Sequence, residues 1–158
     1  MTVMEKLLFV CLGNICRSPA AEEVMRVLAA RAGRAADFEL DSAGLIDFHE
    51  GELPDERMRR HARQRGYELT HRSRPVCPAD FRNFDRILVM DAAGVRRLEQ
   101  MASSDAERRK IERLAGYLSR YTADAIPDPY YGGPEDFERV LDLLEDACAG
   151  LLEGRPSV

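Results

Sequence analysis

Short apolar runs that alternate with segments of helical period constrain the fold of this chain more than any other feature. Leu7-Leu8-Phe9-Val10 is the continuous apolar stretch of a strand buried on both faces, and the Gly13, Asn14 and Pro19 that follow are turn and helix-start residues. From Pro19 the spacing turns helical, with Val24, Val27 and Leu28 on one face and Gly33 as a stop. Phe38 to Leu40 reads as a second strand that ends at Asp41-Ser42-Ala43-Gly44, and Pro54 opens a helix that Gly66 closes. Arg86 to Met90 predicts a third strand, followed by a helix around Val95, Leu98 and Met101, and Ile111 to Leu114 a fourth, weaker strand. A last helix keeps Phe137, Val140, Leu141, Leu144 and Cys148 on one face. The alternation predicts an α/β fold, a parallel sheet wrapped by helices on both faces, with ligands at the carboxyl ends of the strands near a topological switch point. The loop after the first strand is therefore the place to look for chemistry.

The 158 residues suffice for one core, and no repeat or linker divides them, so one domain over residues 1–158 is expected, with a loose tail after Gly154. The longest apolar run, Leu7 to Leu12, is far short of the ~20 residues of a membrane span and shorter than a secretory h-region, which predicts a cytoplasmic protein. A net charge of −5 opposes a phosphate-backbone interface, although 21 of the 23 basic residues are arginine, so nucleic acid is not an expected partner. Cys11, Cys16, Cys77 and Cys148, without an export signal, read as reduced thiols.

Cys11-Leu12-Gly13-Asn14-Ile15-Cys16-Arg17-Ser18-Pro19 sets a cysteine six residues before an arginine across the predicted strand-to-helix loop. In such a loop successive backbone N–H groups point inward at an anion and the helix N-terminus adds partial positive charge, a cradle for phosphate. Arg17 would grip two phosphate oxygens through its planar fork, which lysine cannot reproduce. Gly13 and Asn14 tolerate the left-handed backbone a tight loop demands. An unassisted thiol is mostly protonated at neutral pH, and the dipoles that bind phosphate also favour a thiolate, so Cys11 reads as a nucleophile. Ser18 has two compatible readings: a hydroxyl donor to that thiolate, or the cap before Pro19.

With these residues in view the sequence resembles the low-molecular-weight protein tyrosine phosphatase family over its whole length. The motifs that carry the resemblance are Val10 to Pro19, Asp41-Ser42-Ala43-Gly44, Thr70-His71-Arg72, Phe84 through Met90-Asp91, and Asp128-Pro129-Tyr130-Tyr131-Gly132. The resemblance implies a four-stranded parallel sheet of the flavodoxin-like, doubly wound kind, and metal-independent, cofactor-free hydrolysis of phosphomonoesters through a phosphocysteine. It implies Cys11 as nucleophile, Arg17 as phosphate clamp and Asp128 as general acid, with Leu12, Gly13, Asn14, Ile15, Cys16 and Ser18 forming the phosphate loop. Asn14, Ser42 and His71 would form the network that holds this loop. Ile15 stands where a related arginine-phosphatase branch tends to have threonine, which favours phosphotyrosine proteins and aryl phosphates as substrates.

Physical readings accompany these roles. Asp128 precedes Pro129, which favours an extended backbone, and Gly132 and Gly133 let the segment fold over a cleft. Tyr130 and Tyr131 would wall a slot deep enough for an aryl phosphate and too deep for phosphoserine, and the resemblance adds that they are candidates for regulatory phosphorylation. Phe48 stands where the family often has a tryptophan wall residue. Cys16 is either a buried small residue or the partner in a reversible disulfide that shields Cys11 from over-oxidation. Cys77 and Cys148 look structural. Arg57, Arg59, Arg60, Arg63 and Arg65 read as a solvated face, with a docking patch for acidic phosphoproteins as the sharper alternative. No paired metal-ligand spacing occurs, so no zinc site is expected. A monomer is expected. Ala115-Gly116-Tyr117-Leu118 departs from the family pattern and puts substrate selectivity in question. Arsenate reduction on the same fold would need a cysteine companion to Cys77, and a phosphate-dependent binding module would be expected to lack Cys11 or Asp128.

Overall fold

A computed structural model describes residues 3–157. Strands β1 (Glu5–Cys11), β2 (Phe38–Gly44), β3 (Arg86–Val89) and β4 (Ile111–Arg113) form one sheet in the order β2-β1-β3-β4, with every neighbouring pair parallel. The helices are α1 (Arg17–Arg31), α2 (Glu56–Arg63), α3 (Asp80–Asn83), α4 (Ala92–Met101), α5 (Asp105–Arg108) and α6 (Pro134–Glu153).

The alternation of side chains along β1 explains the two-faced core. Leu7, Phe9 and Cys11 join the layer built from Ala20, Val24 and Met25 of α1 and Phe137, Val140 and Leu144 of α6. Leu8 and Val10 point the other way, against Phe81 of α3 and Leu98 of α4. Leu7 to Val10 are fully buried, and each such side chain stabilises the fold by about 1.5–3 kcal/mol. The continuous apolar run is thus the signature of a central strand covered on both sides.

The end of β2 and the start of α1 differ from the sequence reading for physical reasons. β2 does not stop before Asp41: its backbone stays paired with β1, from Leu8 opposite Asp41 to Cys11 opposite Gly44, and ladder pairing outweighs local polarity. Helix α1 starts at Arg17 rather than Pro19, so Ser18 lies inside the first turn and Cys16 is the N-cap. The single-turn helices α3 and α5 are too short to show a hydrophobic period. At the C-terminus, Gly154 ends α6 with φ 72°, and Arg155 folds back onto the Tyr117 carbonyl and the Asp146 carboxylate at 3.2 Å each.

Because β1 leads to β2 on one side and β3 lies on the other, the strand order reverses at β1. A crevice opens at the carboxyl ends of β1 and β3. Cys11 is the last residue of β1.

Candidate active site

From Cys11 the chain turns through residues 12–16 into α1. Asn14 makes the turn possible: its φ of 57° is left-handed, and it alone among the described non-glycine residues has positive φ. Its buried side chain then fixes the turn. Nδ2 donates to Ser18 Oγ at 2.7 Å, while Oδ1 accepts from the Arg74 amide at 3.1 Å and meets His71 Nε2 at 2.9 Å. Gly13 is not left-handed, contrary to the sequence reading; a Cβ there would sit 3.2 Å from the His49 ring. Ser73 donates to the Gly13 carbonyl at 3.0 Å, and the amides of Leu45 and Ile46 donate to the carbonyls of Cys11 and Leu12 at 3.0 and 3.1 Å. Gly44 packs tightly beneath the turn, where a Cβ would lie 3.1 Å from Asn14 Cβ and from two carbonyl oxygens.

The buried Cys11 Sγ lies 3.0 Å from Ser18 Oγ and 3.5 Å from the Ser18 amide in the first turn of α1. The capping reading of Ser18 is not met, because Cys16 is the N-cap and no side-chain cap closes α1, while the hydroxyl stands within hydrogen-bond reach of the sulfur. Arg17 is buried and oriented from behind: Nη1 donates to Asp91 Oδ2 at 2.9 Å and to the Ile126 carbonyl at 3.0 Å. Its Nη2 lies 3.7 Å from Asp128 Oδ2. Asp91 also caps α4 by accepting from the Gly94 amide at 2.8 Å. Burial raises the Asp91 carboxyl, but the Arg17 guanidinium and the Gly94 amide outweigh it and hold the group below the usual carboxylate range. Sequence reasoning quoted Asp91 within a motif and gave it no role; an aspartate directly after a buried strand, at a helix start, was the available signal.

Asp128 is exposed, and its Oδ1 accepts from the Tyr130 amide at 3.1 Å. The neighbouring Pro129 is buried and anchors the segment. Cys11, Leu12, Gly13, Ile15, Cys16, Arg17, Phe48, Asp128, Tyr130 and Tyr131 all line one cleft of about 240 Å³, with Ile46 and His49 completing it. Phe48 and Tyr131 stand at the rim, 79% and 96% exposed, and Tyr131 meets the ring of the half-buried Tyr130 edge-on at 5.0 Å. Cys16 is buried, and burial first, then the negative charge of Asp55, pushes its thiol up.

Ser42 supports the loop less directly than expected. Its hydroxyl donates to Glu22 Oε1 at 2.7 Å, and Glu22 and Asp41 each lie 3.5 Å from His71 Nδ1, so the chain runs Ser42, Glu22, His71, Asn14. Glu22, Asp41 and His71 bring potential metal-ligand atoms within 4.8 Å of one another, a grouping the sequence spacing did not reveal. The carboxylates are already engaged, Glu22 with Arg26 at 2.7 Å and Asp41 with Arg74 at 3.0 Å.

Most arginines of the α2 segment have partners within the chain: Arg57 pairs with Asp55, Arg59 with the Pro54 carbonyl, Arg63 with Glu68, and Arg65 with Glu138, Asp142 and Glu145. Cys148 is buried as expected of a structural residue, whereas Cys77 is exposed. Ala115 to Leu118 do not line the cleft, so that departure lies away from it.

The family model for low molecular weight phosphotyrosine protein phosphatase matches residues 6–155. The chain belongs to this family. It is 46% identical to the Synechocystis protein slr0328, over 93% of this chain and 94% of the other; that protein carries the name low molecular weight protein-tyrosine-phosphatase provisionally. A protein tyrosine phosphatase from Entamoeba histolytica, crystallised with Hepes in its active site, superposes with a TM-score of 0.92 at 43% identity, covering 96% of this chain and 99% of that one. A Drosophila arginine phosphatase superposes at 0.88 and 33% identity, covering 96% and 98%. Members of the family fold thus differ in the phosphoryl group they are named for, while the four-stranded parallel α/β architecture is common ground. Among the described residues no helix is long and apolar enough to cross a membrane.

Proposed function

We propose that this phosphatase hydrolyses phosphotyrosine in proteins, and small aryl phosphates, through a phosphocysteine on Cys11. The observation that carries the reading is Cys11 Sγ within 3.0 Å of the Ser18 hydroxyl in a cleft that Arg17 and Asp128 also line. With Nη1 taken by Asp91 and Ile126, Arg17 offers its Nε and Nη2 edge to two phosphate oxygens. The thiolate attacks phosphorus, the P–O bond to the aryl group breaks, and protonated Asp128 delivers its proton to the departing oxygen. Asp128, now a carboxylate, takes a proton from the water that attacks phosphocysteine; the P–S bond breaks, returning the thiolate and releasing phosphate. Aromatic side chains at the rim favour an aryl ester, and Ile15 at the loop favours tyrosine phosphate over arginine phosphate. Cys16 would serve as redox partner: peroxide converts the Cys11 thiolate to a sulfenic acid, and the Cys16 thiol condenses with it to a disulfide and water.

Release of p-nitrophenol from its phosphate ester, with reductant and EDTA present, tests the reading. Turnover by the wild type that vanishes in Cys11→Ser is the expected result. Absence of turnover by folded, reduced protein would overturn it.

A further inference from the structure

We propose that Arg57 is a positioning residue for the loop that carries Asp128, an inference that rests on the phosphatase reading above. Arg57 lies on α2, outside the lining of the cleft, yet it joins the two sides of the site. Its Nε and Nη2 donate to Asp55 Oδ1 and Oδ2 at 3.1 and 3.0 Å, and Nη2 also donates to the Tyr130 carbonyl at 2.9 Å. The guanidinium carbon is 5.4 Å from the Tyr130 ring centre and 4.8 Å from that of Phe137 in α6. Asp55 in turn donates its amide to the Ile15 carbonyl in the phosphate loop at 2.8 Å.

A continuous chain therefore runs from Ile15 through Asp55 and Arg57 to Tyr130. The Tyr130 amide, one peptide unit away from the carbonyl Arg57 holds, orients Asp128 Oδ1 at 3.1 Å. Gripping that carbonyl from a side chain tied to the phosphate loop sets where the acid stands relative to Cys11. Lysine would keep the charge but lacks the fork that reaches Asp55 and Tyr130 together.

The test is kcat/KM for p-nitrophenyl phosphate and phenyl phosphate in the wild type, Arg57→Gln, Arg57→Lys, Asp128→Asn and the Arg57→Gln/Asp128→Asn pair, with a melting temperature for each. Phenol is the poorer leaving group and depends more on the delivered proton. Arg57→Gln is expected to lose about tenfold more on phenyl phosphate than on p-nitrophenyl phosphate, with Arg57→Lys close to it, and to add little once Asp128 is replaced. Equal losses on both substrates, or losses that multiply fully in the double variant, would overturn the proposal. An Asp128→Asn protein without leaving-group dependence would remove Asp128 from the mechanism and the proposal with it, an outcome read from that single variant alone. Should Arg57→Gln not fold, Asp55→Asn, which loosens the same fork, decides by the same comparison.

Discussion

Ser18 and Asn14 carry opposite kinds of burden in the phosphate loop. Ser18 Oγ lies within hydrogen-bond reach of the Cys11 sulfur and accepts from Asn14 Nδ2, so on the proposed mechanism Ser18→Ala removes a hydrogen bond to the attacking thiolate and strands a buried amide. Such bonds contribute about 1.5–3 kcal/mol, and a fall of about 10- to 100-fold in kcat for an aryl phosphate is expected, with the fold retained by circular dichroism. Asn14→Ala places an ordinary side chain at a left-handed φ and leaves the Arg74 amide and His71 without their acceptor. It should lower the unfolding free energy by about 2 kcal/mol or more, measured as a shift of the urea midpoint. At this scale the sequence was legible where chemistry requires a particular atom: Cys11, Arg17, Asp128 and Ser18 all border one site. Asp91, Glu22 and Arg57 were not legible, because their roles depend on partners 74, 20 and 73 residues away along the chain.

The helices locate the site through their ends and their close approaches. Helix α6 fastens the segment leading to Asp128: Asp146 Oδ2 accepts from the amides of Ser119, Arg120 and Tyr121 at 3.0, 2.9 and 3.1 Å. Burial raises this carboxyl, but the three amides and Arg155 outweigh it and hold it below its ordinary range. A depressed folded value means stability fully present above the ordinary carboxylate range and lost as pH falls through the folded value. Asp146→Asn should therefore lower the melting temperature at neutral pH and flatten its acid limb. Gly150 makes a contrasting case in the same helix. Propensity alone would favour alanine by about 1 kcal/mol, yet a Cβ there would collide with the Tyr117 carbonyl. Gly150→Ala is expected to destabilise by about 1–3 kcal/mol in urea titration, and a stabilised variant would contradict the close packing. Period and apolar face made α6 readable in advance, whereas the continuation of β2 through Asp41 and Ser42 was hidden, since it follows from pairing with β1.

At the scale of the whole molecule, function follows from the reversal of strand order at β1. β1 delivers Cys11, the end of β3 delivers Asp91, and the Ile126 amide bonds to the Met90 carbonyl at 2.9 Å, which brings the Asp128 segment across the same crevice. Alternating strands and helices made a parallel sheet and its crevice predictable, but the order β2-β1-β3-β4 is a matter of which surfaces pack, and the local pattern does not encode it. On the proposed mechanism Cys11 takes the phosphoryl group. Rapid acid quench of the Asp128→Asn protein during turnover of p-nitrophenyl phosphate, followed by mass spectrometry of the Cys11 peptide, tests it most directly. The expected result is a fraction of that peptide heavier by one phosphoryl group, absent when Cys11 is serine. Turnover with the Cys11 peptide unmodified at every quench time would contradict it.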